Sequence, residues 1–236
     1  MSSLQLHRTH TFSSSTGKLQ YLSYEPPGWG EEVRPLVLFL HGALQRGSDI
    51  EKVAEVGIPH SIERGKNFAF VAISPQCPDG ASWDAQTTLL TQLLDEVIPK
   101  YKIDPRRVYL TGVSMGAMGA WSLAAANPDR FAALISVCGG GNPSTAERLK
   151  ALPTWAFHGD EDPVVPVAKT QAMVDALEAL SAPVKVTIYP GAGHEIWDQT
   201  YENPEVLDWM FGQRRGSPDA SKLVNENDSP TARTGS

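Results

Sequence analysis

Short runs of apolar residues, each the length of a β-strand, recur at 36–40, 68–73, 108–110, 131–137, 154–157 and 184–189. Between most of them the apolar positions repeat at helical spacing, so the chain alternates strand and helix. The middle runs are nearly continuous in apolar residues. A strand with one wet face alternates, whereas a strand covered on both faces does not, as in a parallel sheet flanked by helices. The pattern predicts an α/β protein on a doubly wound, mainly parallel sheet.

Two helices are distinct. Residues 85–101 carry Leu89, Leu90, Leu93, Leu94, Val97 and Ile98 as one stripe, with Pro99 where only a helix end accepts it. Residues 167–180 carry a second stripe through Ala168, Ala172, Met173, Ala176, Leu177 and Leu180, stopped before Pro183. Residues 9–12 and 19–24, separated by Ser-Ser-Ser-Thr-Gly, predict an antiparallel hairpin at the sheet edge. Beyond Arg215 the run GSPDASKLVNENDSPTARTGS is polar and turn-rich. One domain over 1–215 and a disordered tail at 216–236 are therefore expected.

A chain of 236 residues with 41% hydrophobic and 20% charged residues has enough apolar material for a sizeable core. Its net charge of -7, with Lys and Arg scattered, argues against a nucleic-acid partner. The two cysteines, Cys77 and Cys138, are far apart and have no Cys/His cluster beside them, so no metal site is predicted. Cys138 ends an apolar run and reads as a buried thiol. The first residues lack the roughly 7–15 apolar positions of a secretory signal, and no segment reaches the ~20 of a membrane span. A cytoplasmic protein without stable membrane insertion is expected, and no feature fixes its oligomeric state.

The chemistry-bearing residues begin with Gly112-Val113-Ser114-Met115-Gly116, which follows a strand and opens the helical run 117–126. That is the setting a G-x-S-x-G elbow requires. Glycines on either side free the turn of β-carbon clashes, so Ser114 can take a strained backbone and raise its hydroxyl above the sheet. Next, the strand 154–157 runs into His158-Gly159-Asp160-Glu161-Asp162-Pro163, a turn with three carboxylates at the sheet's C-terminal end. Asp162 is the choice to orient a histidine because Pro163 fixes the chain after it, whereas Asp160 is expected to cap its own turn and Glu161 to be solvated.

His194 lies on the Gly-rich loop 190–195, just after the last apolar strand, and is the best general base in the sequence. Of the other five histidines, His7, His10 and His60 are expected at the surface, and His41 and His158, at strand ends before glycine, are expected to brace loops. The chain order Ser, Asp, His is that of an α/β-hydrolase triad. An oxyanion hole needs two backbone N–H donors. Met115 would supply one, and the loop after residues 36–40 the other, through Ala43 or, as the alternative, Leu44.

Together these segments resemble the phospholipase/carboxylesterase group of α/β-hydrolases, including small esterases of the predicted-peptidase or feruloyl-esterase-like kind. The resemblance rests on LVLFLHGALQRGSD, YKIDPRRVYLTGVSMGAMGAW, NPDRFAALISVCGGG, HGDEDPVVPV and YPGAGHEIWDQTYENPEVLDWMFGQRR, and spans residues 35–215. It implies hydrolysis of short acyl esters without a cofactor, on a small-molecule substrate, with the second aspartate of the HGDxDPxVP stretch, here Asp162, in the triad. This chain departs from relatives at Ala43-Leu44-Gln45 and at Ala117. Residues 139–151, where relatives insert a cap, are short and Gly-rich, which predicts an open cleft without a substantial cap domain.

Trp83 and Trp197 flank the expected site in sequence and are candidates, with Leu44, to line the substrate pocket; the other reading of both tryptophans is loop packing. A thioesterase or serine peptidase would use the same three residues, and a hydrolase-like binding module is the distant alternative. Cysteine- and aspartate-dependent relatives are excluded by serine at 114.

Overall fold

Successive residues of a strand point to opposite faces of its sheet, and the central strand Arg34–Leu40 divides its side chains accordingly. Leu36, Leu38 and Leu40 join one buried cluster and Val37 and Phe39 join another. Two cores on two faces require helices on both sides, and that is the architecture found. The structure, a computed structural model, describes residues 6–28 and 32–216; residues 1–5, 29–31 and 217–236 lie outside them. All but the first residue of the expected tail, 216–236, therefore falls outside the described residues.

The strands are β1 (Arg8–Ser14), β2 (Gly17–Tyr24), β3 (Arg34–Leu40), β4 (Val71–Pro75), β5 (Ile103–Val113), β6 (Ala133–Val137), β7 (Thr154–Gly159) and β8 (Val184–Tyr189). They form one sheet in the order β1-β2-β4-β3-β5-β6-β7-β8. The pairs β1/β2 and β2/β4 are antiparallel and every other pair is parallel. The helices are α1 (Gly57–Glu63), α2 (Thr87–Lys100), α3 (Met115–Ala126), α4 (Ala146–Leu149), α5 (Ala168–Glu178), α6 (Trp197–Glu202) and α7 (Pro204–Gly212). Leu89, Leu93, Leu123 and Leu177, from α2, α3 and α5, bury themselves in one cluster, and Ile58, Tyr201 and Met210, from α1, α6 and α7, in the other. The sheet is thus doubly wound and mainly parallel, with an antiparallel hairpin at one edge.

Three elements differ from the sequence expectation. Strand β4 starts at Val71 rather than 68, because the backbone of Phe68 is taken by a side chain: the Tyr24 hydroxyl accepts from its N–H at 3.1 Å and donates to its carbonyl at 3.3 Å. Strand β5 starts at Ile103, well before 108, and shifts register around Pro105, which has no N–H to give to the ladder. His7 is buried rather than at the surface, with Nδ1 2.5 Å from Glu63 Oε1 of α1. His10 is half-buried, stacked on Tyr21 at 4.8 Å between ring centres, and His60 is half-buried on α1.

The segment expected to lack a cap is short. After β6 it forms one 3-10 turn, Pro143–Thr145, and the four-residue α4, and then enters β7. Among the described residues this segment therefore inserts no cap over the ends of β5 and β6.

Candidate active site

Between the end of β5 and the start of α3 stands Ser114 alone, with φ 54° and ψ -119°. That backbone is strained for a residue with a β-carbon. Its neighbours make it feasible: a β-carbon at Gly112 would lie 2.4 Å from the Gly116 carbonyl oxygen, and one at Gly116 would lie 1.9 Å from that of Leu40. Only bare backbone lets the turn close against the end of β3. Ser114 is left half-buried at the head of α3.

The acid turn follows β7. Asp162 Oδ1 accepts hydrogen bonds from the N–H groups of Val164 at 2.8 Å and Val165 at 2.9 Å. Its Oδ2 lies 2.7 Å from His194 Nδ1, and the aspartate side chain has no exposed surface. Burial pushes its pKa up, but the hydrogen bonds from His194, Val165 and Val164, and the charge of His194, outweigh this and hold it below its ordinary value. The pairing therefore favours the ionised carboxylate.

Two loops deliver the histidine. Glu161 N–H donates to the Ala192 carbonyl at 3.0 Å, and Gly191 N–H donates to Asp160 Oδ1 at 2.7 Å. Asp160 thus ties the histidine loop down instead of capping its own turn, which corrects the expectation. With its loop so fixed, His194 places Nε2 2.9 Å from Ser114 Oγ. Because Asp162 can only accept, Nδ1 carries the ring proton and Nε2 is free to take one from the serine.

The loop after β3 approaches from the other side. A β-carbon on Gly42 would sit 3.7 Å from Ser114 Cβ, so the backbone just before Ala43 passes beside the nucleophile. His41 is fully buried and braces this loop: Nδ1–H donates to the Gly42 carbonyl at 2.6 Å and Nε2 accepts from Cys77 N–H at 2.9 Å. Burial lowers its pKa to about 4, against partial compensation by the Gly42 bond, so the ring is neutral. Ala43 and Met115 each open a helical turn, where N–H groups have no partner within their own helix.

The remaining candidates separate. Leu44 is 86% exposed on the 3-10 turn that follows β3, and Trp197 stands edge-on to the His194 ring at 5.9 Å between centres. Trp83 is completely buried, its Nε1–H donating to the His41 carbonyl at 2.9 Å, so it presents no surface to a substrate and the pocket role is withdrawn. It packs where Gly119 has no side chain; a β-carbon there would lie 2.1 Å from Trp83 Cβ. Cys138 is buried, as expected, and burial pushes its thiol up to about 12.

Sequence reasoning missed an open groove of about 580 Å³ lined by Asp84, Met118, Ser122, Asn142, Lys169 and Ala172, among others. None of Ser114, Asp162 and His194 lines it, but Met118 N–H bonds the Ser114 carbonyl at 3.1 Å, so the groove begins one helical turn from the serine. The four-residue spacing from Ser114 to Met118 was its only trace in the sequence.

A mainly parallel sheet whose serine stands on a strained strand-to-helix turn, facing an aspartate from the end of β7 and a histidine from the end of β8, defines an α/β-hydrolase fold. More narrowly, the chain belongs to the phospholipase/carboxylesterase family, whose model matches residues 56–204. It is 31% identical over 137 residues to the bifunctional acetylxylan esterase/xylanase XynS20E of Neocallimastix patriciarum, covering 56% of this chain and 20% of that one. The chain spans less than half the length of the first curated relatives it matches, 42% at most. Among solved structures, a thermostable esterase superposes with a TM-score of 0.78 at 30% identity, covering 89% of this chain and 63% of its own. The feruloyl esterase module of Clostridium thermocellum shares the fold, with a TM-score of 0.70 at 15% identity over 91% of each chain. No helix among the described residues is long and apolar enough to cross a membrane.

Proposed function

We propose that this protein is a serine carboxylesterase acting on short-chain acyl esters through an acyl-enzyme. The observation that carries the reading is the unbroken hydrogen-bonded line from Ser114 Oγ to His194 Nε2 at 2.9 Å and from His194 Nδ1 to Asp162 Oδ2 at 2.7 Å. Ser114 Oγ attacks the ester carbonyl while its proton passes to His194 Nε2, and Asp162 stabilises the imidazolium. The tetrahedral oxyanion takes hydrogen bonds from the N–H groups of Met115 and Ala43. Collapse expels the alcohol, which receives the proton from His194. Water then gives a proton to His194 and attacks the acyl group, and on collapse the bond to Ser114 Oγ breaks, Oγ takes that proton back from His194 and the acid is released.

The short segment after β6 and the open groove beyond Met118 support a substrate that is small and accessible rather than a buried lipid chain. The reading takes Leu44, exposed on the loop after β3, and Trp197, beside His194, as contacts for the substrate, and residues 1–215 as one catalytic domain. Similarity to an acetylxylan esterase favours acetyl esters among the short ones. Treatment with a fluorophosphonate tests the nucleophile: the reading expects one adduct, on Ser114, absent in Ser114→Ala. Absence of labelling in the folded wild type would overturn it.

A further inference from the structure

His158, the last residue but one of β7, has no exposed surface, and its ring makes three contacts. Nε2 lies 2.8 Å from the Val165 carbonyl oxygen, and Nδ1 lies 2.7 Å from Oγ1 of Thr170, itself fully buried. The third contact is with Asp162: Nε2 is 3.1 Å from Oδ2. A carbonyl can only accept, so Nε2 carries a proton, which it gives to Val165, and the same edge of the ring lies against the carboxylate.

The surroundings of Asp162 show what this does. Oδ1 is held by two backbone N–H groups, one of them that of Val165, whose carbonyl His158 grips. On the other oxygen, Oδ2, His194 Nδ1 sits at 2.7 Å and His158 Nε2 at 3.1 Å. Without His158, Oδ2 would keep one partner in a site with no exposed surface, and the turn that aims Oδ1 would lose its anchor.

We infer that His158, fixed by Thr170, is a positioning residue for Asp162 and through it for His194. The line then runs from the core to the cleft as Thr170, His158, Asp162, His194 and Ser114. The inference rests on the esterase reading above and adds to it a role for two buried side chains outside the three reacting residues. A merely structural histidine would be satisfied by Val165 and Thr170; the edge against Oδ2 is what couples it to catalysis.

The test uses the full chain and four proteins: wild type, Thr170→Val, His158→Leu and His158→Gln. Turnover of p-nitrophenyl acetate is measured beside the low-field proton resonance of the His194 Nδ1–H. Thr170→Val and His158→Leu are expected to lower kcat about tenfold or more with KM within about twofold, and to shift or broaden that resonance. His158→Gln, whose amide can still donate to Val165, is expected to return kcat to within about threefold of wild type. Thr170→Val is nearly isosteric, so it decides the matter should His158→Leu fail to fold. A folded Thr170→Val that keeps wild-type kcat and an unmoved resonance, or a folded His158→Leu that does the same, overturns the inference. Should the wild type turn over no ester, the esterase reading fails, and the resonance alone still decides whether His158 positions the pair.

Discussion

Gly159 and Ala192 approach so closely that a β-carbon at 159 would lie 2.2 Å from the Ala192 carbonyl oxygen. The end of β7 and the histidine loop meet there as backbone against backbone, which sets the spacing between Asp162 and His194. Gly159→Ala must push the loops apart. Since a displacement of about 1 Å in a reacting group costs on the order of a hundredfold, kcat should fall by roughly that factor. Steady-state kinetics beside a thermal melt checks this: the account requires kcat to fall in the protein that remains folded.

The two tryptophans near the site should behave differently. Trp83→Phe removes a buried hydrogen bond to His41 and some packing, and is expected to cost about 1–3 kcal/mol of stability while leaving KM within about twofold. Trp197→Ala, beside the His194 ring, is expected to raise KM by about three- to tenfold with less effect on stability. Urea unfolding and Michaelis–Menten curves on both variants separate the two.

Stability should decline on acidification before ordinary carboxylates titrate. His41 has a pKa lowered to about 4 by burial, so between that and its ordinary value of 6.5 the unfolded chain binds a proton that the folded one refuses. Stability therefore rises with pH across this window, with His41 contributing on the order of 3 kcal/mol. His7, lowered by burial, acts in the same direction. Asp162, held below its ordinary value, contributes at higher pH and loses that contribution only below about pH 4. Urea titrations at pH 7 and pH 4.5 measure the difference; equal stabilities would contradict it.

Thiol reagents should leave the native protein untouched. Burial pushes Cys77 up to about 11 and Cys138 up to about 12, and only the thiolate reacts. Iodoacetamide at neutral pH is expected to label neither cysteine until urea is added, as read by intact mass.

Much of the fold was legible because its signals are local. Strand β8 occupies residues 184–189 as its apolar run predicts, and the glycines about Ser114 announce the turn that the clashes at Gly112 and Gly116 explain. What escaped depends on partners distant in sequence. No local pattern reveals that the Tyr24 hydroxyl takes the backbone of Phe68, or that Trp83 fills the space left by Gly119. Likewise, Asp160 reads as a local cap until its partner proves to be Gly191. The groove beyond Met118 draws its walls from α3, α5 and the loop after β6, which only the folded chain brings together.

The central claim is tested most directly by hydrolysis of p-nitrophenyl esters from acetate to palmitate, with wild type and Ser114→Ala in parallel and circular dichroism to show both folded. Wild-type turnover that is greatest on the short acyl chains and falls by about four orders of magnitude or more in Ser114→Ala is the predicted result. A folded Ser114→Ala protein that turns over these esters as the wild type does would contradict it.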